Sequence, residues 1–163
     1  MMCKNKNIMH LKRYLLCNIK ITTINIFLGV LIVSICRLIL TEQDFLKLDA
    51  KTIPSSAYNI FQHNAKISFI YMIPYVGIIY YIWAFFITYI TIGVYMTTYG
   101  VAATLVHLWH LPLEVFALSM PIYVGLRYKR LSWQEIIYIT IFSLFLLFVC
   151  SYIEYFLSKG GIG

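Results

Sequence analysis

The chain has 163 residues, 61% of them hydrophobic and only 12% charged, with net charge +7 and mean hydropathy +0.81. Soluble domains carry about a quarter charged residues and need a polar surface that this composition does not supply, so the solvent that fits is a bilayer. The basic excess sits in short flanks around apolar tracts, a pattern of membrane topology rather than phosphate binding, and no nucleic-acid partner is expected.

In chain order, residues 1–20 form a basic leader with Lys4, Lys6, Lys12, Arg13 and Lys20. Ile8, Leu11, Leu15 and Ile19 recur at helical spacing, which predicts an amphipathic segment on the cytoplasmic membrane surface. The apolar run that follows is longer than a cleaved signal sequence and has no small-residue cleavage site, so it reads as an uncleaved anchor. Cys3, Cys17, Cys36 and Cys150 show no paired spacing, which excludes a disulfide framework or zinc knuckle as the organising principle.

A span needs about twenty apolar residues. The first is 21–40, interrupted only by Arg37 near its far end. Residues 41–66 are balanced in charge and belong outside, and Pro54-Ser-Ser-Ala-Tyr58 provides a serine N-cap for a short helix there. The basic cluster Arg127, Lys129, Arg130 belongs inside. An odd number of crossings must fit between Lys66 and Arg127, and three use the available length: about 67–83, about 85–104 and about 107–126. Trp83 and Trp109 fall where interfacial turns are needed. The last span is 136–157. The expectation is an all-α, polytopic integral membrane helical bundle, one membrane domain over residues 1–163, with about five transmembrane helices, N-in and C-out.

Between Ile67 and Leu126 the only ionisable groups besides tyrosines are His107, His110 and Glu114. For an antiparallel pair turning near residue 130, Glu154 comes level with His107 and within about a turn of His110. Arg37, about 25 Å along a helix from Lys20, reaches the same outer half. Groups of this kind inside a membrane face the bundle and find partners. Arg37, His107, His110, Glu114 and Glu154 are therefore the candidate site, read as a polar clamp tying the last two spans to the first. His107, His110 and Glu114 stand at i, i+3 and i+7, and with Glu154 they offer metal-ligand chemistry. Pro112 interrupts that spacing, and the order is not the His-Glu-x-x-His of metalloproteases. The expectation is no metal, no other cofactor and no catalytic residue.

His110-Leu-Pro-Leu-Glu114, followed by Val-Phe-Ala117 and Gly125-Leu-Arg127, resembles the H-G-x-x-E-x-x-A…G-L-R segment of the stage II sporulation protein M (SpoIIM) family. Cys150-Ser-Tyr-Ile-Glu154-Tyr-Phe is similar to that family's closing A-x-I-E-A-F segment, and Phe61-Gln-His-Asn64-Ala-Lys66 to its F-x-x-N-x-R/K segment. Leu111 stands where the family has glycine, and Pro112 follows the histidine where the family proline precedes it. The resemblance implies no catalytic activity. It implies a scaffold or component of a membrane complex in the bacterial cell membrane, in the small form found beside circular bacteriocins, serving export, maturation or self-immunity. The alternatives are a scaffold for peptidoglycan hydrolases in sporulation engulfment, and an intramembrane metal-dependent hydrolase or small transporter. Implied partners are the lipid bilayer and other membrane proteins, either an ABC-type transporter or peptidoglycan hydrolases, with homo-oligomers also open.

Overall fold

The computed structural model describes residues 2–39 and 56–160, apart from the side chains of residues 2–13, 36, 37, 39, 98, 99, 103, 107 and 158–160. Every described element is helical: α1 Met2–Ile39, α2 Ala57–Tyr71, α3 Val76–Tyr99, α4 Val101–Leu108, α5 Leu111–Arg127, a 3-10 turn at Tyr128–Arg130, and α6 Trp133–Gly160. Most of the segment 41–66 that was expected outside, up to residue 55, lies beyond the described residues.

The helix boundaries follow proline, glycine and caps, and they correct several expected limits. No proline interrupts residues 2–39, so the basic leader and the first apolar stretch are one helix instead of two segments. Ser56 caps α2, its hydroxyl accepting from Asn59 N at 3.2 Å. Pro74 then ends that helical path nine residues before Trp83, because proline has no N–H to donate and clashes with the preceding turn. The connection Met72–Tyr75 holds Tyr75 at φ 65°, and Trp83 lies inside α3, where 58% of it is exposed. The expected turn at Trp83 is therefore displaced to Pro74. Gly100, at φ 84°, separates α3 from the short α4. Trp109 does fall in a turn, between α4 and α5. Ser132 and Glu135 form a reciprocal cap at the start of α6: Ser132 N and Oγ both donate to Glu135 Oε2 at 2.8 Å, and Glu135 N donates to Ser132 Oγ at 3.3 Å.

Helix directions follow from the contacts. Asn25 of α1 meets Tyr81 and Tyr89 of α3, and Val33 packs with Tyr89 and Ile92, so α1 and α3 run parallel. Tyr14 stacks edge-on against Tyr123 while Asn18 meets Ser119, so α5 is antiparallel to α1. Ser143 of α6 donates to Ala117 O, and Glu154 faces His110, so α6 is antiparallel to α5. Phe61 against Phe148 and Met72 against Thr140 make α2 antiparallel to α6. Directions therefore alternate along the chain if α4 is counted with α5.

Among the described residues, three helical stretches are long and apolar enough to cross a membrane: Tyr14–Ile35, Val76–Thr97 and Trp133–Leu157. At 1.5 Å per residue, α2 and α5 reach about 22 and 25 Å. Several polar side chains are buried while many large apolar ones face outward. Asn18, Ser68, Ser119, Ser143 and Ser151 are buried, while Phe27, Ile79, Phe145 and Phe156 are more than half exposed. Such an apolar exterior suits lipid, where helices associate through close packing and hydrogen bonds rather than the hydrophobic effect. Small residues permit the close approach: a Cβ on Gly29 would sit 2.0 Å from the Tyr89 ring, and one on Gly125 2.9 Å from Tyr71 O.

Candidate polar centre between α2, α5 and α6

The α4–α5 turn sets the position of His110. It occupies the N-cap of α5 with φ −78° and ψ −17°, and its carbonyl accepts from Leu113 N at 3.0 Å and Glu114 N at 3.1 Å. Pro112 stands in the first turn, where a missing N–H costs nothing. It therefore opens the helix that carries Glu114 rather than breaking it. His110 and Glu114 are four residues apart on one face of that helix.

Three side chains come together here. His110 Nε2 lies 3.8 Å from Glu114 Oε2 and 3.9 Å from Glu154 Oε2. Asn64, buried on α2, donates through Nδ2 to Glu114 Oε1 at 2.8 Å. One Glu114 oxygen is thus engaged by α2 while the other faces the imidazole. Exposure rises from 6% for the His110 side chain through 17% for Glu114 to 33% for Glu154, so the centre is closed at the histidine and open at one edge. One ligand-type atom from each of His110, Glu114 and Glu154 lies within 4.8 Å of the others, an arrangement with the donor set of a divalent-cation site.

The other two expected members are described only in their backbone. His107 lies on α4, separated by the Trp109–His110 turn from the helix bearing Glu114, so His107, His110 and Glu114 do not share one continuous helix. The side chains of His107 and Arg37 lie outside the described residues.

Asn64 was missed as a site residue. Its signal was a polar, uncharged side chain eight residues into a helix whose neighbours on that face are Ile60, Ser68 and Tyr71, all buried. A second polar seam escaped for the same reason. Tyr14, Asn18, Thr22 and Asn25 form one buried stripe on α1 at helical spacing. Asn25 works in both directions there, accepting from the Tyr89 hydroxyl at 2.9 Å and donating to the Tyr81 hydroxyl. Searches against protein-family models, curated proteins and solved structures find no match to this chain.

Proposed function

We propose that this chain is a five-span, multi-pass protein of the bacterial cell membrane, N-in and C-out, and a non-enzymatic component of a membrane complex. The alternating helix directions support the odd span count. The exposed basic turn Arg127–Arg130 supports the orientation, since excess Lys and Arg favour the cytoplasmic side. Glu154 is then about 31 Å along α6 from Trp133, which puts the polar centre toward the outer face.

The observation that carries the reading is the meeting of Asn64, His110, Glu114 and Glu154. These residues come from the three separate segments that resemble the SpoIIM family, and the same contact joins α2, α5 and α6. A polar contact shared among three helices is a device for fixing one bundle geometry, as a scaffold requires. Within that family the proposed setting is the bacteriocin one, with export, maturation or self-immunity as the process served and an ABC-type transporter as the partner.

Two measurements test this. Single cysteines at Arg130 and Gly160 are expected to be labelled from the inside and the outside respectively; outside labelling at 130 refutes the span count. Deleting the gene is expected to abolish secretion of, or resistance to, an apolar peptide encoded beside it, with Glu154→Leu a partial copy of the deletion and Glu154→Gln milder, because the amide keeps an acceptor. Unchanged secretion and resistance refute the assigned process.

A further inference from the structure

We propose that the outward face of α1, at its basic end, is a docking surface for an anionic phospholipid of the inner leaflet, with Lys20 holding the phosphate. The leaflet rests on the N-in reading; the surface and the charge it selects do not.

Lys20 lies inside the apolar stretch Tyr14–Ile35, six residues or about 9 Å past Tyr14. It is exposed, and among the described residues no carboxylate stands within ion-pair distance of it, the two such contacts both belonging to His110. A cation so placed in a membrane needs an anionic partner or a route to the headgroups. Side chains on a helix lean toward its N-terminus, which in α1 is the basic end. The flexible stem of Lys20 therefore carries its ammonium back toward the headgroup level.

The face that bears Lys20 changes character along its length. Lys12, Arg13, Leu16 and Lys20 share one side of the helix. It is the side opposite the buried stripe Tyr14, Asn18, Thr22 and Asn25, which packs toward α5 and α3. Farther along the outward side stand Ile24, Phe27 and Leu31, exposed by 58%, 69% and 47%. The register of α1 against α5, set by Tyr14 with Tyr123 and Asn18 with Ser119, brings residue 10 level with Arg127. Lys12 and Arg13 are thus within a turn of the depth of Arg127–Arg130, beside which Tyr128 and Trp133 are exposed. Tyrosine and tryptophan favour the headgroup region. Cations at that depth, followed by an apolar track, match the order of a phospholipid lying alongside, phosphate first and acyl chain beyond.

A partner helix with a carboxylate would also neutralise Lys20, but the rest of the face offers it little to bond. Thr23 and Ser34, on the same side, already return their hydroxyls to Ile19 O and Val30 O, each at 2.8 Å. A lipid phosphate makes use of Lys12 and Arg13 as well as Lys20, since each basic group near an anionic surface adds to the attraction. Charge selects among lipids. The phosphate of phosphatidylcholine is balanced by its own ammonium, whereas phosphatidylglycerol presents an unbalanced negative charge.

The test reconstitutes the full chain in vesicles of phosphatidylcholine containing a minor share of phosphatidylglycerol with a photoreactive diazirine in its acyl chain, and maps the cross-linked peptides by mass spectrometry. Label is expected on α1 between Ile24 and Leu31, displaced by unlabelled phosphatidylglycerol and not by added phosphatidylcholine. Lys20→Gln should lower the apparent affinity for phosphatidylglycerol there about fivefold, the worth of one basic group, and Lys20→Arg should preserve it. The pair Lys12→Gln, Arg13→Gln should act in the same sense and gives a second reading that leaves Lys20 in place. Equal displacement by the two lipids overturns the proposal and leaves ordinary solvating lipid only. Unchanged affinity in Lys20→Gln likewise overturns it; if that variant nevertheless loses the process served in cells, the face belongs to a partner helix instead. Outside labelling of a cysteine at Arg130 would overturn the leaflet and leave the docking surface standing.

Discussion

Pro121 lies inside α5 and is fully buried. It has no N–H, so the carbonyl four residues earlier, Ala117 O, loses its helical donor. Ser143 of α6 supplies a replacement, its hydroxyl donating to Ala117 O at 2.9 Å. Ser143→Ala should therefore leave a buried carbonyl without a donor, at a cost of about 1–3 kcal/mol, moderated toward the lower end in a membrane bundle. Pro121→Ala restores the N–H. In that background Ser143→Ala should cost almost nothing, because the helix again satisfies Ala117 O. The expected coupling is about 1–2 kcal/mol, read from dodecyl sulfate unfolding of the four proteins in detergent. Additive losses would show that Ser143 does not substitute for the missing donor, and the contact between α5 and α6 would then be packing alone.

Two further substitutions probe the packing. Gly29→Ala places a carbon 2.0 Å from the Tyr89 ring; moving the ring breaks its bond to Asn25, so a net loss of about 2–4 kcal/mol is expected after allowing for the better helix propensity of alanine, and an unchanged unfolding midpoint would contradict the α1–α3 contact. Tyr75 holds φ 65° in an exposed turn, so Tyr75→Gly should stabilise the chain by about 1 kcal/mol; destabilisation in the same assay would mean that the side chain contributes more than its backbone strain costs.

Much of the fold was legible because lipid imposes simple rules. The composition demanded helices, and the antiparallel pairing of α5 and α6 about a turn near residue 130 brought Glu154 to His110 and Glu114 from spacing alone. Residues 67–83 failed as a single span for a local reason. Charge parity and tryptophan placement were weighed there, whereas Pro74 and Gly77 decide the backbone: Pro74 by its missing donor, Gly77 because a Cβ would meet Tyr71 O at 2.3 Å. The leader likewise was read by its charges, which say where a segment resides but not whether its helix ends. Within the site, attention to ionisable groups found His110 and both glutamates and passed over Asn64, Asn18 and Asn25. Uncharged amides raise no flag in a charge count, yet in a membrane bundle they meet the same requirement for a partner.

The polar contacts in this bundle differ in kind, and the difference bears on what each does. At Asn25 with Tyr89, and at Ser143 with Ala117 O, donor and acceptor are 2.9 Å apart, so each contact is complete within the protein and adds only to stability. The centre at His110 holds opposed groups at 3.8 and 3.9 Å with Asn64 already bonded at 2.8 Å behind one of them. Asn64 holds Glu114 from behind and the N-cap holds the backbone of His110, whereas Glu154 is the most exposed of the three. α2 and α5 thus supply Asn64, His110 and Glu114, and α6 brings the remaining carboxylate to them.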